Sequence, residues 1–186
     1  VRHVERLDAG QLLHVLRLLE REDVDDVVDG DDPEDLPVLV DDGHDVEVVE
    51  PSGFWTMSCP TYPEIRLALR CSNAVGRALD AVDPDAIHVA TEGPIGHAVR
   101  AWCLRRGRAF ATSFHTRFPD YVSVRSGVPA SWIWALMRRF HRAAERTFVC
   151  TPGLQAELHA RGIPSTFLWP LGVDLDQFNP TVPPHP

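Results

Sequence analysis

From Pro84 to Tyr121 the chain switches from strand signals to helix signals and back, and this alternation narrows the possible folds more than any other feature. Ala86-Ile87-His88-Val89-Ala90 is a short apolar run. Gly93-Pro94 marks a turn and a helix start, because the fixed φ of proline suits the first helical turn. Ile95, Ala98, Val99, Trp102 and Cys103 then recur at helical spacing, so one face is apolar. Arg105 and Arg106 place cations near the last carbonyls, and Gly107 supplies the left-handed residue that ends such a helix. Phe110 to Phe114 reads as the next strand, with His115 just past its end. Two strands joined by a helix predict a right-handed crossover and a parallel sheet. Ligands in such sheets bind at the carboxyl ends of the strands. Those ends carry Thr91-Glu92-Gly93 and His115-Thr116-Arg117, and both sets are expected to face one crevice.

The same alternation extends on both sides. Val46 to Val49, Ile65 to Leu69, Thr147 to Cys150 and Thr166 to Trp169 read as strands. Helices are expected from Ser72 to Val82, over SWIWALMRRFHRAAER starting at Ser131, and from Pro152 to Arg161, with Ser72 and Ser131 as caps. Residues 54–63 and 116–130 are rich in proline, aromatic or glycine residues and read as loops. The predicted class is α/β, a doubly wound, mostly parallel Rossmann-like sheet. In the helix from Ser131, the expected core stripe is Ile133, Leu136, Met137, Phe140 and Ala144. Trp132, Trp134, Arg138, Arg139 and Arg142 surround it, which fits either an ordinary solvated face or contact with an anionic membrane surface.

Charge divides the chain. Of its 27 acidic residues, 17 fall within the first 50 positions, and all 18 basic residues are arginine. The remainder is mildly basic, as suits phosphate-bearing ligands, though an ordinary surface explains it as well. Leu12, Leu13, Val15, Leu16 and Leu19 form a helix-like stripe, and EDVDDVVDGDDPEDLPVLVDD after it is an aspartate-rich run of the kind that is solvated or disordered. Asp25, Asp29, Asp31 and Asp32 lack the spacing of a calcium loop, so no metal site is expected. Cys59, Cys71, Cys103 and Cys150 are scattered and read as free thiols of a reducing compartment. No apolar run reaches the length of a membrane span, and the first residues show no signal-peptide core. The G-x-G-x-x-G, Walker and G-x-S-x-G patterns are absent, which argues against a dinucleotide enzyme, a P-loop NTPase or a serine hydrolase.

The stretches PTYPEIRLAL (60–69), IHVATEGPIG, TSFHTRFPDY, RRFHRAAERTFVCTP (138–152) and LGVDLDQFNP (171–180) together resemble the N-terminal domain of family-4 glycosyltransferases, and within that family the bacterial GDP-mannose-dependent α-mannosyltransferases. The resemblance runs from Gly43 to Pro180. It implies a GT-B enzyme, with two Rossmann-like domains and the active site between them. On this reading residues 1–42 are an atypical acidic segment, disordered or a mistranslated product of a frameshift. Residues 43–180 are the acceptor-side domain, 181–186 are a tail, and the second domain is absent.

The implied function is the acceptor-binding half of a retaining glycosyltransferase, inactive alone, that moves a hexose (mannose) from a nucleotide sugar to a lipid or glycan. The alternative is a non-catalytic binding module or gene remnant. The resemblance implies no cofactor beyond the donor GDP-mannose, held mainly by the second domain. It also implies no nucleic-acid partner and a cytoplasmic location with peripheral contact at the inner face of the plasma membrane. His115, in the F-H-T motif, is the expected catalytic residue, stabilising charge and sharing a proton near the transferred sugar. Arg117, Thr116, Glu92, Tyr62 and Glu64 are the expected substrate-binding residues. Plainer roles compete: a helix cap at Thr91 and Glu92, an exposed loop arginine at Arg117, a satisfied core histidine at His88, and a surface histidine at His97.

Overall fold

The computed structural model describes residues 13–17, 45–59, 62–115 and 117–169. In chain order the elements are β1 (Leu13–Arg17), β2 (Asp45–Val49), a 3-10 turn (Pro51–Gly53), β3 (Thr56–Cys59), β4 (Tyr62–Ala68), α1 (Ser72–Val82), β5 (Ala86–Val89), α2 (Pro94–Arg106), β6 (Ala111–Ser113), α3 (Phe118–Ser126), α4 (Ala130–His141), β7 (Arg146–Val149), α5 (Pro152–Ala160) and β8 (Thr166–Leu168). Among the described residues the main sheet has the order β2-β1-β5-β6-β7-β8, and β3 and β4 form a separate two-stranded sheet. The four strands β5 to β8 are parallel. The expected α/β class, with a mostly parallel sheet and intervening helices, is therefore present.

Five expectations about the elements need correction. The Leu-rich stripe near the N-terminus is not a helix over 13–17 but a strand. It runs antiparallel to both β2 and β5, so its backbone groups complete the ladder on the open edge of β5. The rest of the acidic segment lies outside the described residues, as does the tail. Residues 54–63, read as loop, contain β3 and the start of β4, which pair antiparallel. Residues 116–130, also read as loop, contain α3: Pro119 fits its first turn, Asp120 sits at its positive end, and Gly127 (φ 71°) closes it in the left-handed region. The helix predicted from Ser131 begins one residue earlier and stops at His141, where turn hydrogen bonds from Ala143 and Ala144 lead directly into β7. Neither Ser72 nor Ser131 is a cap; the cap positions are Cys71 and Pro129, without side-chain bonds.

The central helix follows its sequence signals. Gly93 caps α2, Pro94 opens it, Arg105 and Arg106 lie in its last turn, and Gly107 (φ 64°) ends it. Its buried face, Ile95, Val99 and Trp102, packs with Val75 and Leu79 of α1, Ile87 and Val89 of β5, Phe110 and Phe140. A second cluster joins Phe114, Trp134, Met137, Val149, Leu158 and Ile163. Each such side chain contributes about 1.5–3 kcal/mol on burial. Surface ion pairs such as Arg106–Asp80 (2.6 Å) add about 0–1 kcal/mol, so apolar burial, not charge pairing, holds these layers together.

The α4 stripe differs from expectation at two positions. Trp134 is buried and Leu136 is 47% exposed. Trp134 lies on the side that meets α3 and α5, where the Arg161 guanidinium covers its ring at 3.7 Å and its Nε1–H donates to Asp120 at 3.4 Å. Trp132 is 74% exposed. Cys59, Cys71, Cys103 and Cys150 form no disulfide among the described residues. Burial pushes the Cys103 thiol up to about 11.

Candidate functional site

The carboxyl edge of the parallel strands is where this topology gathers side chains able to meet a ligand. Past Val89 the chain turns through Thr91 and Glu92 into α2. Past Ser113 it runs through Phe114 to His115. The turn after β5 is tight: a Cβ on Gly96 would collide with the Thr91 carbonyl oxygen and lie 2.9 Å from Val89 Cγ1. Glycine there lets the first turn of α2 sit against the strand end, which fixes the position of Glu92.

Glu92 is neither the helix cap nor a solvated carboxylate. The cap is Gly93. Glu92 Oε1 accepts a hydrogen bond from His141 Nε2 at 2.8 Å, with side-chain exposures of 19% for Glu92 and 0% for His141. His141 Nδ1 lies 2.9 Å from Thr112 Oγ1, which is 3.0 Å from Thr147 Oγ1. A neutral imidazole protonated on Nε2 satisfies the whole chain: Thr147 donates to Thr112, Thr112 to Nδ1, and Nε2–H to the carboxylate. Residues from β6, β7 and α4 thus hold one carboxylate oxygen in place. The second oxygen makes no bond among the described residues, so it can accept a ligand hydroxyl.

His115 is exposed, as a residue that touches substrate needs to be. The residue before it is rigid: Phe114 is 1% exposed, its N–H donates to the Phe148 carbonyl at 2.9 Å, and its ring stacks on Trp134 at 5.9 Å. Thr116 lies outside the described residues. Arg117 is not a spare loop cation. It precedes α3 and donates to Asp120 Oδ2 at 3.2 Å and to Glu157 Oε1 at 2.9 Å, and that same oxygen takes Arg161 Nη2 at 2.8 Å. These bonds tie the β6–α3 connection to α5; the Arg117 guanidinium remains half exposed at 55%.

Tyr62 and Glu64, expected in a loop, lie on β4 of the two-stranded sheet, with Tyr62 in register opposite Cys59. Their side chains lie outside the described residues. Of the six expected site residues, the topology therefore brings Glu92, His115 and Arg117 to one sheet edge, and it sets Tyr62 and Glu64 on another sheet. His88 is a satisfied core residue, 8% exposed, with Nε2 2.9 Å from Ser113 Oγ. His97 is half-buried, not a surface histidine, and its ring meets Phe140 edge-on at 5.0 Å.

Sequence reading missed His141, Thr112 and Thr147. His141 pairs with a residue 49 positions away, so no local spacing reveals the contact. A signal was nevertheless present: position 141 falls four residues after Met137 and seven after Trp134, on the buried face, and a buried imidazole needs partners.

Sequence comparison places these features in a family. The Glycosyltransferase Family 4 profile matches residues 36–177. A GDP-mannose-dependent alpha-mannosyltransferase of Mycobacterium tuberculosis is 34% identical over 107 residues, 56% of this chain and 28% of that protein. The sulfoquinovosyl transferase SQD2 of Arabidopsis thaliana is 29% identical over 135 residues, 69% of this chain and 26% of that protein. The matched region thus spans about a quarter of the length of these curated relatives. No solved structure matches. With the profile covering most of the chain, and with the strand-end motifs at Glu92 and His115 inside the matched region, the chain belongs to glycosyltransferase family 4.

Proposed function

We propose that this chain supplies the acceptor side of a retaining GT-B glycosyltransferase that moves a hexose, mannose on this reading, from a nucleotide sugar to a lipid or glycan. The observation that carries the reading is Glu92. Its carboxylate is fixed by a buried histidine at the carboxyl edge of a parallel sheet, the edge that also carries His115. A fixed carboxylate oxygen recognises a sugar hydroxyl at little entropic cost, because its position is set before the ligand arrives. His115 stands next to the transferred sugar, where an imidazole can hydrogen-bond a hydroxyl and offset developing positive charge. The mannose assignment is supported by the similarity to the bacterial GDP-mannose-dependent alpha-mannosyltransferase. The donor is GDP-mannose, no further cofactor is required, and turnover requires more than these residues alone. The reaction takes place on the cytoplasmic side of the membrane.

Equilibrium binding with the 186-residue chain tests the reading. Three probes are used separately: a short α-mannoside glycan, a neutral diacylglycerol glycolipid in micelles, and GDP-mannose. One of the two acceptor probes should bind saturably, and His115→Ala should weaken it about tenfold, the loss of one well-placed hydrogen bond in a site. GDP-mannose should bind more weakly than the acceptor. Retention of neither acceptor contradicts the assignment and favours a non-catalytic module; preference for GDP-mannose contradicts the acceptor-side assignment.

A further inference from the structure

A second concave site lies between α2 and α4. A cavity of about 260 Å3 opens there, lined by His97, Arg100, Leu136, Arg139 and Phe140. Its polar walls are two arginines and an imidazole, and its apolar lining is Phe140 and Leu136. Arg100 Nη2 donates to the Arg139 carbonyl at 3.0 Å, which fixes the guanidinium against the end of α4. The Nε of the same guanidinium is buried and has no hydrogen-bond partner among the described residues. An unmade bond at a buried charged donor is costly, so native folds leave few of them. No carboxylate pairs with Arg100 or Arg139 among the described residues. Burial and the facing Arg139 lower the Arg100 pKa from its ordinary value. Burial, then Arg100 and Arg139, hold His97 below its usual 6.5 against the opposing pull of Glu92. Two like charges therefore line one cavity, and neither guanidinium is paired with a carboxylate among the described residues.

We infer that this cavity is a binding site for a phosphate group, with Arg100 and Arg139 as its cationic walls and His97 as a neutral hydrogen-bonding partner. Guanidinium forks match phosphate geometry, and Arg100 and Arg139 bring two of them to one cavity from facing helices. The site is separate from the acceptor reading of the strand ends, and neither depends on the other. The phosphate has two possible sources, a soluble phosphate ester or a phospholipid headgroup. Trp132 (74% exposed) and Leu136 (47% exposed) lie about two turns and one turn before Arg139 on the same helix, an apolar flank that a lipid would use.

The test titrates inorganic phosphate into the 186-residue chain while the Arg100 Nε–H resonance is followed by NMR. That resonance should shift saturably. Arg139→Gln, whose side chain makes no described bond, should weaken binding about tenfold, as for loss of one charge-assisted contact. Arg105→Gln, an exposed cation in the last turn of α2, should leave it unchanged. A parallel arm sediments the chain with phosphatidylcholine vesicles containing about one third phosphatidylglycerol. Vesicle binding that Arg139→Gln abolishes and phosphate competes away assigns a lipid headgroup. Phosphate binding without vesicle binding assigns a soluble ester. A linear, unsaturable phosphate response, or equal losses in Arg139→Gln and Arg105→Gln, means only diffuse charge screening and overturns the site.

Discussion

Replacing His141 with phenylalanine should destabilise the domain by about 3 kcal/mol. The phenyl ring is somewhat larger than the imidazole and can keep the edge-on contacts with Phe114 (5.4 Å) and Phe140 (5.2 Å), so cavity formation is not the cause. It removes the donor to Glu92 and the acceptor for Thr112 together. Thr112 and Thr147 are both 0% exposed and cannot turn to water. Glu92, at 19% side-chain exposure, recovers only part of its solvation. Urea unfolding of the variant and of the Glu92→Gln/His141→Phe pair measures the coupling. The double variant should lose less than the sum of the two single changes, because the two share one hydrogen bond. A cost below about 1 kcal/mol for His141→Phe, the scale of an ordinary exposed contact, would show that the network does not hold Glu92.

Gly96→Ala should cost about 2 kcal/mol even though alanine is the better helix former. The added methyl would strike the Thr91 carbonyl oxygen, a backbone atom that cannot swing aside, and would come within 2.9 Å of Val89 Cγ1. The helix gains at most about 1 kcal/mol in propensity, which the clash exceeds. For a domain of this size the expected fall in melting temperature is about 4–8 °C. Acceptor binding should fall as well, because relief of the clash moves α2 away from β5 and shifts Glu92 with it. Gly76, on α1, is the control: its added Cβ meets only Trp102 Cδ1 at 3.5 Å, an ordinary contact, so Gly76→Ala should be neutral or stabilising. Equal effects of the two substitutions would remove the argument that Gly96 exists to bring helix and strand together.

These two positions also show what the sequence does and does not reveal. The β5–α2–β6 unit was readable because its apolar runs, Pro94, the Arg105-Arg106 pair and Gly107 all act locally. The helix α3 was not readable. Phe118 to Ser126 lacks an apolar period, and Pro119 reads as a breaker unless the first turn is already known to begin there. The strand β1 was missed because Leu12, Leu13, Val15, Leu16 and Leu19 fit a helical spacing as well as an alternating one. What decides between them is the unpaired edge of β5, a tertiary fact. On α4, Trp134 and Leu136 are both apolar and both adjoin the stripe through Ile133, Met137 and Phe140. Only the positions of α3 and α5 choose Trp134 for burial. At the site, Glu92 and His115 were legible as strand-end residues, whereas the buried imidazole that fixes Glu92 comes from a helix 49 residues further on.

We propose the carboxyl edge of the parallel sheet as the acceptor face. Backbone amide shifts recorded while the binding acceptor probe is titrated into the chain test it most directly. The largest shifts should fall at Thr91, Glu92 and Gly93 and at Phe114, His115 and Arg117, with a second, smaller effect relayed to His141. Shifts concentrated on β3 and β4, or on the outer helices with the strand ends unmoved, would contradict it.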